Sequence, residues 1–347
     1  MKKIFLSALL MLLLISAQTF AQKNAATKSN EIQYYFFTNN IPSDFNYPLI
    51  GFVNNVDGNH ASLQIGIVNS TTGNFGGIQT GLINSTGGNV TGLQSGFINS
   101  IGGNLMGAAY GFINSVNGEV SGLQYGFINS ANASVAGLQC GFINSTGQSV
   151  YGVQCGFINS AGDVRGLQHG FINSAKSLRG LQLGFINSVD DVENGLPFGF
   201  LSFVKHNGYK AIEYSYTDLL PYNLAFKTGI REFYTFPMVS WNPELEDELF
   251  VGYGIGSNVD FGKSVFFNPE LLSQHNISLD FNHFLSLKAN IGVKLSDHFE
   301  LVAGPAFSWN VKIDADDFHQ NYTEWNPDII SVNKLSIGYN AALRFCF

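Results

Sequence analysis

Val90-Thr91-Gly92-Leu93-Gln94-Ser95-Gly96-Phe97-Ile98-Asn99-Ser100 is one copy of a phrase that returns along the chain. Its last five letters, Gly-Phe-Ile-Asn-Ser, begin again at Gly111, Gly126, Gly141, Gly156, Gly170 and Gly184. Looser copies begin at Gly51, Gly66 and Gly81, and a degenerate one at Gly199. From Gly51 onward, successive starts lie 15 residues apart seven times, then 14 twice, then 15 once. A fixed short period of this kind marks a stacked repeat architecture.

Each phrase runs into a short polar stretch such as Thr86-Gly87-Gly88-Asn89, whose composition marks a turn. Both one-residue deletions fall there, since Ala161-Gly162-Asp163 and Ala175-Lys176-Ser177 are each one shorter than Thr146-Gly147-Gln148-Ser149. Turns absorb length changes and hydrogen-bonded ladders do not, so the unit is a strand followed by a turn. On a flat strand Leu93 and Phe97 share one parity and Val90 and Ile98 the other, which puts apolar groups on both faces. The glycines before Leu and Phe recur in nearly every copy, and glycine tolerates corners. The pattern therefore predicts an all-β chain that begins with a β-solenoid of about ten 15-residue coils over 51–197, with Val, Leu, Phe and Ile all turned inward. Equivalent positions would stack ~4.8 Å apart, giving a rod of roughly 48 Å.

Stacking gathers like residues into columns. Asn69, Asn84, Asn99, Asn114, Asn129, Asn144, Asn159, Asn173 and Asn187 form one, predicted to be a structural amide ladder in which each side chain bonds to the next coil or to a turn. The column before Gly-Phe reads Ile65, Thr80, Ser95, Tyr110, Tyr125, Cys140, Cys155, His169 and Leu183, a variation that fits a solvent-facing position. Cys140 and Cys155 occupy it one coil apart, near the Cα spacing a disulfide accepts. Export would permit that bond, and two small residues in a tolerant column is the equal alternative.

Export is the expected fate of this chain. Lys2-Lys3, the apolar run from Ile4 to Ile15, and Thr19-Phe20-Ala21 before Gln22 have the layout of a secretory signal peptide over 1–21. The run falls short of the ~20 residues of a spanning helix, and no later stretch supplies one, so membrane insertion would have to use strands. Residues 22–50 are assigned to an N-terminal linker and cap.

From about Phe198 the repeat dissolves and period-two alternation takes over. Leu335, Ile337, Tyr339, Ala341, Leu343, Phe345 and Phe347 alternate with Ser336, Gly338, Asn340, Ala342, Arg344 and Cys346. An apolar face opposite a polar one suits a strand with lipid outside and a polar lumen inside. The same reading gives strands near 198–205, 208–217, 222–231, 250–260, 263–272, 285–295 and 299–311, hence an antiparallel barrel of about eight strands over 198–347. Segments 232–247, 273–283 and 313–333 are then long loops on one end, the usual outer-membrane asymmetry. A soluble β-sandwich or barrel alternates too and is the competing reading. The repeats themselves do not read as barrel strands, because neither parity of the phrase makes an apolar band.

The terminal strand ending Arg344-Phe345-Cys346-Phe347, with Tyr339 and Leu343 before it, resembles the C-terminal signal of bacterial outer-membrane β-barrel proteins. The phrase Gly-Leu-Gln-x-Gly-Phe-Ile-Asn-Ser resembles the bacterial surface-repeat family built from G-L-Q-x-G-[LF]-[IV]-N units. That family has no assigned activity, so the resemblance implies a place rather than a chemistry: the outer membrane or cell surface of a Gram-negative bacterium. Outer-membrane lipid and the barrel assembly machinery are then the implied partners, with envelope or host-surface proteins or glycans beyond them.

Composition narrows the function further. Lys and Arg number 17 against 25 Asp and Glu, a net charge of −8, and no basic cluster follows Lys2-Lys3, which excludes nucleic acid as a partner. No H-E-x-x-H, P-loop, G-x-S-x-G or paired C-x-x-C occurs, and the seven histidines are scattered singly. No catalytic residue, cofactor or metal site is expected. Acidic clusters at Glu244, Glu246, Asp247 and Glu248 and at Asp314, Asp316 and Asp317 lack the spacing of a calcium loop and read as solvated loop charge. The expected function is a non-enzymatic envelope or surface protein whose repeat rod serves interaction or adhesion. A carbohydrate-binding or carbohydrate-processing β-helix is the alternative, and it would need convergent carboxylates that coils 51–199 do not offer.

Overall fold

The computed structural model describes residues 32–34, 36–243, 249–277, 282–313 and 330–347. The expected signal peptide, both acidic clusters and Trp325-Asn326-Pro327 lie outside them. Among the described residues there is no helix; the strands form a solenoid of about 11 parallel turns and a closed 8-stranded antiparallel barrel. The chain divides into two compact units at Phe157/Ile158, the first made of coils and the second of further coils and the barrel.

In the first unit, strands pair in parallel and in register with their equivalents one coil on: Gly92 with Gly107, Ile98 with Ile113, Asn99 with Asn114. The solenoid begins inside the segment assigned to a linker, since Thr38–Ile41 pairs with Val53–Val56 in the same way. Gln33 and Tyr34 add an antiparallel pairing to Asn40 and Asn39, which covers part of the first coil's open edge.

Of the four apolar positions predicted to turn inward, Val does so and Leu, Phe and Ile do not. Val90, Gln94, Asn99 and Ile101 are buried, whereas Phe97 is 49% exposed and Leu93 and Ile98 lie half-buried on the outside. Two constraints account for this. A coil this small cannot enclose Leu, Phe and Ile together with Val, and an amide column is stabilising only where water does not compete for its hydrogen bonds. Gly107 shows how tightly the coils stack: its φ is +136°, and a Cβ there would meet the carbonyl oxygen of Gly92 at 2.0 Å. On the outer surface the displaced rings stack face to face, Phe97 on Phe112 and Phe112 on Phe127, with centroids 4.9 Å apart.

In the second unit, residues 198–205 form no barrel strand. They belong to Leu196–His206, which pairs in parallel with Leu181–Val192 as a last coil. The coil-to-barrel boundary is therefore the turn at Asn207 and Gly208, where Asn207 takes a φ of 56°. The barrel strands are β1 Tyr209–Thr217, β2 Tyr222–Ile230, β3 Phe233–Trp241, β4 Leu249–Gly256, β5 Val265–Asn276, β6 Asn282–Lys294, β7 Phe299–Ile313 and β8 Ile330–Cys346. Neighbours pair antiparallel, β4 pairs with β5, and β8 returns to β1 through Leu343 opposite Tyr214. The count stays at eight because β3 occupies most of the expected loop 232–247.

An even count brings the start of β1 and the end of β8 to the same end, where Phe347 donates its backbone N–H to Lys210. The connections 231–232, 257–264 and 295–298 lie at that end. At the other end are the short 218–221 and the strand ends Trp241, Leu249, Asn276, Asn282, Ile313 and Ile330. The outer wall is apolar, with Ile212, Leu224, Leu287, Ile291, Leu301 and Ile337 exposed between aromatic clusters. Tyr216 stacks on Tyr339 and Tyr222 on Trp241 toward one end, and Phe345 packs on Phe299 and Phe347 at the other. Aromatic girdles flanking an apolar band are what a barrel in a bilayer presents.

Candidate functional site

Two features concentrate the polar chemistry of the chain: the amide columns inside the coils and a charged network inside the barrel. In the coils Asn114 donates to the side-chain oxygen of Asn129 at 2.8 Å and to the carbonyl of Tyr125 at 3.0 Å, and it accepts from Asn99 at 2.8 Å. Asn69, Asn84 and Asn129 repeat the pattern, bonding to Asn84, Asn99 and Asn144, and the column extends upstream through Asn39 and Asn54. In the second unit Asn159 and Asn173 bond to Asn173 and Asn187, and Asn187 closes the column by donating to the hydroxyl of Ser202. A second buried column, Gln64, Gln79, Gln94, Gln124, Gln139 and Gln154, carries its own amide bonds. These groups face one another and not the solvent, so the columns are a polar core.

Cys140 and Cys155 are register partners on one surface column, and both are thiols. Partial burial, with the neighbouring Cys155 adding to it, pushes the Cys140 thiol above its ordinary range. Cys346, also a thiol, lies in β8. The strand-end residues Tyr339, Leu343, Phe345 and Phe347 all point outward from the barrel and are exposed.

The barrel lumen holds what sequence reading did not assemble. β1 contributes Tyr209 and Glu213, β2 Lys227, β3 Tyr234, β5 Asn268 and Glu270, β6 Lys288, β7 Glu300 and β8 Arg344, all buried. Arg344, 0% exposed, stands at the centre: its Nε lies 2.5 Å from Glu213 and one terminal nitrogen 2.8 Å from Glu270 and 2.6 Å from the Asn268 oxygen. Its other terminal nitrogen reaches the Tyr209 hydroxyl at 3.3 Å and Asn258 at 3.2 Å. Lys227 bridges the same two carboxylates, 2.8 Å from Glu213 and bonded to Glu270, with its ammonium 4.4 Å above the Phe236 ring. Tyr234 donates its hydroxyl proton to Glu270 at 2.6 Å.

Opposite charges at this separation in a buried lumen offset one another's desolvation, and the guanidinium fork suits two carboxylates at once. The network ties β1, β2, β5 and β8 together across the barrel. An eight-stranded interior is just wide enough for side chains to fill it, and here buried charged, amide and aromatic side chains from seven of the eight strands occupy it. At the end where β1 begins and β8 stops, Arg231 in the β2–β3 turn pairs with Glu300 at 2.8 Å and Asp260 at 3.1 Å. Burial works against the charge on Asp260, but Lys294 and Arg231 outweigh it and hold the carboxyl below its usual range. The signal for the lumen network was one charge in mid-strand on the polar parity, as at Lys288 and Arg344. Its partners come from strands up to 135 residues away, so the sequence gives no pairing.

No protein-family model matches the chain, and no curated protein is similar to it in sequence. Among solved structures, the crystal structure of Neisserial surface protein A aligns with 40% of this chain and 94% of its own, at 11% identity and a TM-score of 0.21. A likeness of that size carries no argument about fold or function.

Proposed function

We propose that this chain is a non-enzymatic envelope protein anchored in the outer membrane by its barrel, with the repeat coils serving as a rigid module for interaction or adhesion. One observation carries the reading: a closed barrel of even strand number, apolar and girdled by aromatics outside, is plugged by paired charge inside. An apolar wall with a polar lumen is the arrangement a bilayer selects, and a plugged lumen suits an anchor and not a channel. Longer connections at the end away from the termini favour placing that end outside, which puts the coil junction and the C-terminus at the periplasmic face. The resemblance of the repeat phrase to the surface-repeat family supports the envelope assignment. Outer-membrane lipid and the barrel assembly machinery are the partners of the barrel; the coils offer their surface to envelope or host proteins or glycans.

The test is expression of the full chain in a Gram-negative host, followed by density separation of the membranes and gel migration with and without boiling. Recovery in the outer-membrane fraction, with faster migration of the unboiled sample, is expected. Recovery as a soluble protein with no heat-dependent shift would overturn the anchor.

A further inference from the structure

The coils that adjoin the barrel carry an exposed apolar strip that the anchor reading leaves unexplained. It comprises Leu181, Leu183, Phe185 and Ile186 in one coil and Leu196, Phe198, Phe200 and Leu201 in the next, with Phe185 43% exposed. Phe171, Phe185 and Phe200 form a continuous ring stack, with centroids 4.9 and 4.8 Å apart. No Asp, Glu, Lys or Arg falls between Leu and Ser of any copy from Leu63 to Ser188. In these coils the charges follow the Ser of the phrase, as at Asp163, Lys176, Asp190 and Asp191, or stand in one flanking column, where Arg165 pairs with Asp163 and Arg179 with Glu193. The exterior is thus amphipathic across its width, apolar in a strip and charged along one rim.

That strip runs onto the outer wall of the barrel. Phe200 stacks on Tyr253 of β4 at 5.1 Å, and Phe198 packs on Phe233 of β3 at 5.5 Å. The Tyr253 hydroxyl donates to the carbonyl of Gly199 at 2.9 Å and the Thr235 hydroxyl to that of Phe200 at 3.3 Å. The Ser202 N–H donates to the Thr228 hydroxyl at 3.2 Å. Thr228 and Thr235 point outward from the barrel, yet the last coil buries them. Tyr253 lies within the length of β4, not in a turn beyond it. Beside this contact a groove of about 690 Å³ is lined by Phe200, Leu224, Pro237, Val251 and Tyr253.

We infer that the Leu-x-Phe-Ile strip of these last coils is a lipid-contacting surface, continuous with the barrel wall, and that the groove beside Phe200 takes a lipid acyl chain. The inference rests on the reading that the barrel sits in a membrane. Water does not cover the wall at the height of Tyr253 in that setting, so the coil docked there shares the wall's solvent. The parallel ladders satisfy the backbone within the solenoid, and the amide columns lie inside, so the strip meets the lipid through its side chains and not its backbone. Arg165 and Arg179 on the flank suit the headgroup region.

The full chain, with Trp241, Trp309 and Trp325 replaced by Phe, is refolded into phosphatidylcholine vesicles with plain or brominated acyl chains. Single tryptophans are placed by Phe185→Trp on the strip, Leu224→Trp on the barrel wall and Lys176→Trp at an exposed charged position of a coil. The expected result is a comparable loss of emission in brominated lipid for Phe185→Trp and Leu224→Trp, and none for Lys176→Trp. Quenching of Leu224→Trp alone would overturn the inference and leave the barrel reading standing. A blue-shifted but unquenched Phe185→Trp would do the same, by assigning the strip to a second copy or a protein partner. If Leu224→Trp is not quenched, the membrane reading itself fails.

Discussion

Two substitutions to the same residue separate the coil seen here from the one its sequence suggests. Asn114→Leu keeps side-chain volume roughly constant but leaves two buried amide groups without partners, one N–H of Asn99 and the side-chain oxygen of Asn129, and takes a side-chain bond from the carbonyl of Tyr125. At ~1–3 kcal/mol for each orphaned group, the loss comes to about 2–6 kcal/mol. Phe112→Leu removes two ring stacks from a side chain that is 42% exposed. Stacking worth ~0.5–1.5 kcal/mol per pair, partly replaced by leucine packing, makes that loss about 1–2 kcal/mol. Solenoid coils interact with their nearest neighbours, so each effect is confined to the adjoining coils. Hydrogen exchange of the full chain in detergent, resolved peptide by peptide, reads the opening free energy of residues 96–130. A larger loss for Phe112→Leu than for Asn114→Leu would refute the polar interior.

Arg344→Met strips Glu213 and Glu270 of a shared cation, leaving Lys227 to both, and is expected to lower barrel stability by about 3–5 kcal/mol, read as the urea midpoint of the heat-modifiable band. His60 takes the place of the column valine in an early coil, and burial holds its imidazole below the ordinary 6.5, the carbonyl of Tyr47 opposing weakly. The unfolded chain then binds a proton that the folded coil refuses, so protection of residues 45–75 falls as pH drops below about 6.5 and is flat above it. His60→Val removes that dependence. Gly107→Ala, at a φ of +136° with a carbonyl 2.0 Å from the new Cβ, disrupts its coil; Gly262→Ala, at +93° with open space around it, costs only about 1 kcal/mol of backbone strain. Thermal melts of the two variants should differ in that order.

What the sequence displayed was periodicity, and periodicity carried both architectures. The 15-residue clock gave stacked coils, and the alternation from Leu335 to Phe347 gave a barrel strand. It did not give the direction of the side chains. Burying Leu, Phe and Ile is the ordinary expectation, but here stacking lets amides satisfy one another inside, and identical rings in successive coils gain contact outside. β3 escaped notice for a related reason. In Phe233–Trp241 the lumen side is Tyr234, Phe236 and Met238, as apolar as the wall side, and Pro237 sits mid-strand. Alternation fails where both faces are apolar, and proline argues against a strand. Missing β3 while counting 198–205 as a barrel strand left the total at eight, so the number alone could not expose the exchange.

Entry of the coils from the same side of an even-stranded membrane barrel as its C-terminus is tested on intact cells with a membrane-impermeant maleimide. Cys140, Cys155 and Cys346 are replaced by Ser, and a single cysteine is supplied by Asp218→Cys at one barrel end or by Lys176→Cys at an exposed position of a coil. Labelling of Asp218→Cys is expected on intact cells, and of Lys176→Cys only after the outer membrane is permeabilised. Labelling of both on intact cells would contradict the orientation, and labelling of neither would contradict the barrel's place in the membrane.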